Sequence, residues 1–140
     1  DGLNLSLQMD LSFAGKDYQR SIHLDRNHHF FNSFIYLNGH EDFGGTGGEL
    51  RLHEVFNRDG IYDKFPEEED IRYTKTIAIK ENSLVGFFCC PYSYHSVVHM
   101  KDSIATRDFI YCALNESSGL DLWPQAKIIS EKRRQRFLKE

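Results

Sequence analysis

Apolar and polar residues alternate with a period of two over most of this 140-residue chain, the pattern of strands that bury one face. The alternation opens in LNLSLQMD, resumes in HFFNSFIYLN, and persists to about residue 114, broken by clusters of Gly, Asn and Asp that read as turns. Eight strands are predicted, near 3–10, 18–24, 29–37, 48–54, 71–80, 83–90, 94–99 and 106–114. No helical stretch separates consecutive strands, so an all-β, antiparallel architecture is expected, a double-sheet jelly roll or a sandwich and not an α/β fold. Helical character is confined to the tail, from about Pro124 to Lys139. There Ile128, Ile129, Phe137 and Leu138 are interspersed with Lys127, Lys132, Arg133, Arg134, Arg136 and Lys139, which predicts a C-terminal helix with a solvated basic face.

Two connections depart from the alternation. GHEDFGGTG at 39–47 is dense in glycine, and so is suited to positive φ angles and to close passage beside other backbone. VFNRDGIYDKFPEEED at 55–70 is too polar, and too broken by Gly60 and Pro66, to read as a strand. A loop of that length in a compact domain is usually functional or mobile, and it is a candidate lid.

Composition narrows the class of protein. With 40% hydrophobic and 27% charged residues the chain is expected to fold as one soluble domain spanning 1–140. A net charge of −4 argues against nucleic acid as a partner, since phosphate binding needs a basic footprint. No apolar run reaches the length of a membrane span. The three cysteines, Cys89, Cys90 and Cys112, lie in apolar strand-like runs and make no disulfide framework, so buried reduced thiols and a cytoplasmic location are expected.

The candidate chemistry lies at strand ends. His23 and Asp25 sit two apart, which puts both side chains on one sheet face, and His95 opens another strand. Two imidazoles and one carboxylate are the ligand set that leaves half of an octahedral iron's positions open. Arg107 begins a strand on which Arg107, Phe109, Tyr111 and Ala113 share a face. An arginine among bulky aromatics is costly unless it meets an anion, and its planar fork suits a carboxylate. Asn32, Phe34 and Tyr36 share a face of the 29–37 strand, and the Tyr36 phenol could reach the same anion. A metal beside a carboxylate anchor describes a pocket for a keto acid. His28, His29, His40, His53 and His99 are read as structural or solvated, with His99 the nearest to a site-edge position.

In these residues the chain resembles the catalytic core of the Fe(II)/2-oxoglutarate-dependent oxygenases, in their prolyl-4-hydroxylase-like branch. The resemblance covers roughly residues 18–114 and rests on HLD at 23–25, YLN at 36–38, GGEL at 47–50, NSLVGFF at 82–88, YHSV at 94–97 and ATR at 105–107. It implies a double-stranded β-helix in which His23, Asp25 and His95 bind Fe(II). Arg107 would pair with the distal carboxylate of 2-oxoglutarate, Tyr36 would add a hydrogen bond to it, and Val97 would line the cosubstrate pocket. The activity implied is that of a dioxygenase consuming O2, with ascorbate a candidate further requirement, and hydroxylating a prolyl or other protein side chain or a small molecule. No catalytic residue beyond the metal centre is implied.

Lys80-Glu81 stands where the family often has proline, at a turn with no part in the chemistry. Supporting elements that family members carry ahead of the His-x-Asp motif are expected to be missing from these residues. Asp25 separates the chain from halogenating relatives, which have a small residue there. Two other classes compete: a catalytically inactive jelly-roll binding module of a larger protein, and a cupin-like metalloenzyme. Arg107 and Tyr36 argue against the second, which needs no carboxylate anchor. The oligomeric state and the substrate are not legible.

Overall fold

A computed structural model describes residues 2–56 and 61–129. Ten strands dominate it: β1 (Leu5–Ala14), β2 (Arg20–His23), β3 (His29–Tyr36), β4 (Leu50–Val55), β5 (Ile61–Asp63), β6 (Ile71–Ile77), β7 (Ser83–Phe88), β8 (Tyr94–Val97), β9 (Arg107–Glu116) and β10 (Lys127–Ile129). The protein is all-β. One four-stranded sheet runs in the order β1-β9-β3-β7 and a second in the order β2-β8-β4-β6, each with antiparallel neighbours. All eight expected strands have counterparts. The first extends four residues further than the pattern suggested, because Leu11 to Ala14 pair with the start of β9, as far as Ala14 opposite Arg107.

The tail and the long connection correct the expectation. Where a helix was expected from Pro124, Lys127–Ile129 form β10, which pairs in parallel with β5 inside the segment judged too polar for a strand. The gain is burial: Ile128 packs against the cluster of Leu24, Val55, Tyr62 and Tyr94, and β-branched residues favour the extended form once a partner strand is present. The rest of the expected helix, 130–139, lies outside the described residues. Glu67, Glu68 and Glu69 are exposed, the last two in a single 3₁₀ turn, Glu68–Asp70.

The glycine-rich connection behaves as its composition suggests. It contains a short helix, α1 (His40–Phe43), whose first turn is closed by the Asp42 carboxylate accepting from the Gly39 amide at 2.7 Å. Gly47 has φ +94°, and any side chain there would collide with the His99 carbonyl. The glycines thus let this loop lie against residues 99–102, beside the buried Phe43 and Met100.

Residues directly opposite in an antiparallel pair share a face. By register, Gln8, Asp10 and Ser12 share the inner face of the first sheet with Ala113, Tyr111 and Phe109. The outer face carries Leu7, Met9, Leu11, Phe13, Leu84 and Phe88, each 57–64% exposed. Inner-facing Ala14, Tyr36 and Phe109 join Phe43, Ile79 and Met100 from α1 and the connections to make the main core, in which all six are buried.

Candidate metal centre

Strands β2 and β8 are neighbours, and His23 stands directly opposite His95. Two residues on from His23, Asp25 turns to the same side. The three residues offer ligand atoms that all lie within 4.8 Å of one another. The two imidazole centroids are 4.3 Å apart, His23 Nε2 is 3.8 Å from Asp25 Oδ1, and His95 Nε2 is 3.5 Å from Asp25 Oδ2.

Both rings are oriented in the same way. His23 Nδ1 lies 2.7 Å from the Ser21 carbonyl and His95 Nδ1 2.9 Å from the Ser93 carbonyl. A carbonyl only accepts, so Nδ1 carries the proton of the neutral ring and Nε2 turns its lone pair toward the shared space, the tautomer a metal requires. Burial, aided by the neighbouring His95, lowers the His23 pKa and favours that neutral form. Phe87 of the first sheet packs on His95 at 4.8 Å between centroids, and Asn32 of the same sheet hydrogen-bonds Asp25. The three candidate ligands therefore occupy the space between the sheets.

Arg107 is 1% exposed at the start of β9. One arm of its guanidinium donates to the Gly48 carbonyl. Nε is buried without a partner, and no ion pair joins the group to a carboxylate among the described residues. Its surroundings are aromatic faces, with the guanidinium carbon 4.4 Å from the Phe109 centroid, 5.6 Å from Tyr18 and 5.8 Å from Tyr36. Burial lowers its pKa, and the nearby Tyr36, Tyr18 and Glu49 offset the loss of water only in part. Tyr36, equally buried at the end of β3, has its pKa raised by the same desolvation and stays a hydroxyl donor.

Arg107, Phe109 and Tyr111 lie on one face of β9 at intervals of about 6.6 Å. The face leads from the arginine toward the metal ligands, since the Tyr111 hydroxyl donates to Asn32, which holds Asp25. Val97 lies two residues beyond His95, opposite Leu50 and half-buried.

The remaining histidines stay outside the cluster. His40 contacts the Gly47 carbonyl and Glu49, His99 lies 3.5 Å from Asp17, and His29 has a buried, unpartnered Nδ1. His53 sits on the opposite face of the second sheet between Thr74 and Ser96, at 2.8 Å from each hydroxyl. That face borders a cleft of about 1000 Å³ walled in part by Phe65, Pro66, Glu67 and Glu68. The expected lid segment thus lines a cleft that none of the three candidate ligands borders. Of the cysteines, all free, only Cys89 is fully buried, and its thiol lies 3.8 Å from Asp25 Oδ2.

Alternation puts Asn32 and Tyr111 on inward faces but assigns neither a partner, because a period of two names the side of a sheet and not the neighbour across it. The same limit hides Gly48, whose contribution is a backbone carbonyl, and Cys89, which reads as an inert core thiol.

No family model matches the sequence, and no curated protein matches it. Solved structures do match the fold. A prolyl-4-hydroxylase from Pseudomonas putida superposes with a TM-score of 0.56 at 18% identity, over 85% of this chain and 57% of that one. An oxidoreductase of the 2OG-Fe(II) oxygenase family from Burkholderia pseudomallei gives 0.54 at 16% identity, over 85% and 48%. The chain has the fold of the 2OG-Fe(II) oxygenases. It spans about half the length of these structures.

Proposed function

We propose that this chain is the catalytic core of a non-haem Fe(II)- and 2-oxoglutarate-dependent dioxygenase, its two four-stranded sheets forming the jelly roll, or double-stranded β-helix, of that fold. The observation that carries the reading is a pair of features linked along one face of β9, through Tyr111 and Asn32 to Asp25. One is a His-Asp-His set with both Nε2 atoms turned inward, and the other is a buried arginine with no carboxylate partner among the described residues.

The donor set fits Fe(II). Two neutral imidazoles and one carboxylate grouped on one side leave positions open for other ligands. When bound, iron with 2-oxoglutarate and O2 supplies oxidative decarboxylation of the cosubstrate to succinate and hydroxylation of a substrate C–H bond. His23, Asp25 and His95 would hold the metal. Arg107 would hold the distal carboxylate of 2-oxoglutarate in a charge-assisted pair, which answers the desolvation its guanidinium suffers. Tyr36 would donate to the same carboxylate, and Val97 would line the cosubstrate's wall. The rings of Phe87, Phe109 and Tyr18 exclude water from this space, which strengthens both the ion pair and the metal's hold.

The prolyl-4-hydroxylase likeness supports a prolyl or other protein side chain as the substrate, and the free thiols support a reducing, cytoplasmic setting. A catalytically inactive binding module with the same jelly roll is the alternative, told apart by succinate release with candidate peptides.

The test is an anaerobic titration with Fe(II) and then 2-oxoglutarate, following the visible charge-transfer band of the chelate. The wild type is expected to develop the band, and Arg107→Ala to need at least tenfold more 2-oxoglutarate to reach it. No band with the wild type, or an undiminished response in Arg107→Ala, would contradict the assignment.

A further inference from the structure

We propose that Asn32, locked in place by Tyr111, is a positioning residue that reserves one oxygen of Asp25 for the metal. The inference rests on the metal centre described above and concerns how that site is kept open. A carboxylate has two oxygens and can hold a metal through one or both. If Asp25 used both, it would occupy a position that the cosubstrate or O2 needs.

In this chain Asp25 Oδ2 is already engaged. Asn32 Nδ2 donates to it at 2.6 Å, and the Cys89 thiol approaches the same oxygen at 3.8 Å. Both oxygens border the shared space, Oδ2 at 3.5 Å from His95 Nε2 and Oδ1 at 3.8 Å from His23 Nε2. But Oδ2 already has two donors drawing on it, which leaves Oδ1 as the oxygen to meet a metal. Asn32 is 2% exposed and the Asp25 side chain 16%, so this bond is largely shielded from water, where it is stronger and costlier to lose than on an open surface.

An asparagine amide has a donating and an accepting end, and a flip would set Oδ1 against the carboxylate, acceptor against acceptor. Tyr111 prevents this. Its hydroxyl lies 3.0 Å from Asn32 Oδ1 and donates to it, so the other end of the amide must face Asp25. Burial, with the Asp25 carboxylate nearby, raises the Tyr111 pKa and keeps the phenol a donor. The register makes room for the arrangement: Asn32 stands opposite Ala113, the smallest residue on the inner face of β9, and Tyr111 stands opposite Phe34, two residues along β3. The result is a chain of two hydrogen bonds, from Tyr111 through Asn32 to Asp25, with the His29 ring also within reach of the Asn32 side chain.

The test is a titration of the full chain with Co(II) alone, read by its d–d absorption, in the wild type, Asn32→Leu, Tyr111→Phe and the double variant. Loss of a partner to a ligating group typically weakens metal binding 10–100-fold. Asn32→Leu is expected to fall about 10–100-fold in affinity, with an altered d–d envelope as Asp25 changes its mode of binding. Tyr111→Phe should move both readouts the same way by less, and should add nothing in the Asn32→Leu background, because it acts through Asn32. Asn32→Leu binding within twofold of wild type with unchanged bands overturns the proposal. Should that variant fail to fold, unshifted bands and affinity in Tyr111→Phe overturn it equally. A wild type that shows no Co(II) bands sinks the metal-centre reading itself, so the two failures are told apart.

Discussion

His53 shows how much one buried side chain can impose. It is clamped between the hydroxyls of Thr74 and Ser96, and burial, seconded by the nearby Arg51, lowers its pKa from 6.5 to about 4. Between those values the unfolded chain takes up a proton that the folded chain refuses. The stability this group contributes is therefore complete above about pH 6.5 and is lost as the pH falls toward 4. The difference is worth on the order of 3 kcal/mol. Urea unfolding at pH 7 and pH 4.5 should show a loss on acidification that is smaller in His53→Gln by about 2–3 kcal/mol, whatever the carboxylates add to both. Parallel losses in the two proteins would show that His53 protonates as easily folded as unfolded.

At the scale of elements, the glycine-rich connection positions the carbonyl that holds Arg107. Gly47 and Gly119 both have positive φ, +94° and +85°, but a side chain at Gly47 would strike the His99 backbone while one at Gly119 meets open space. Replacement by alanine costs conformational energy at both sites, about 1 kcal/mol, and a backbone collision only at Gly47. Gly47→Ala should be destabilised by about 2–3 kcal/mol and Gly119→Ala by roughly 1, as read from denaturant midpoints at equal slope. Equal losses would mean that the loop can yield at no cost. Composition already pointed to positive φ and close backbone approach here, because only glycine permits both. It could not show which backbone is approached. Lys127–Ile129 teach the complementary lesson: the residues between Pro124 and Lys139 carry a helical pattern, yet a strand forms because β5 and the Tyr62–Tyr94 cluster lie beside it.

For the molecule as a whole, the outer face of the first sheet stands out. Leu11, Ile110, Ile35 and Leu84 lie in one row across all four strands, and Leu7, Leu114, Phe31 and Phe88 lie in another. The exposed members alone make an apolar patch on the order of 600 Å², at the upper limit for a soluble monomer. Leu11→Lys combined with Leu84→Lys should sharply reduce binding of an apolar-surface dye such as ANS and lower concentration-dependent association, while leaving the Fe(II) and 2-oxoglutarate titration unchanged. Undiminished dye binding would place the exposed apolar surface elsewhere.

The strands of the two four-stranded sheets, the inward or outward sense of their residues, and the donor types at 23, 25, 95 and 107 could be read along the chain, because a period of two and a two-residue spacing are local properties of extended backbone. Pairing across strands is not local. That His23 faces His95, that Arg107 lies among rings with no carboxylate paired to it among the described residues, and that Asn32 reaches Asp25 and is steadied by Tyr111 all depend on which strands become neighbours and in what register. The sequence by itself determined the chemistry on offer. Only the tertiary structure decided which groups meet, since burial and hydrogen bonding between residues up to 113 positions apart select one pairing among many.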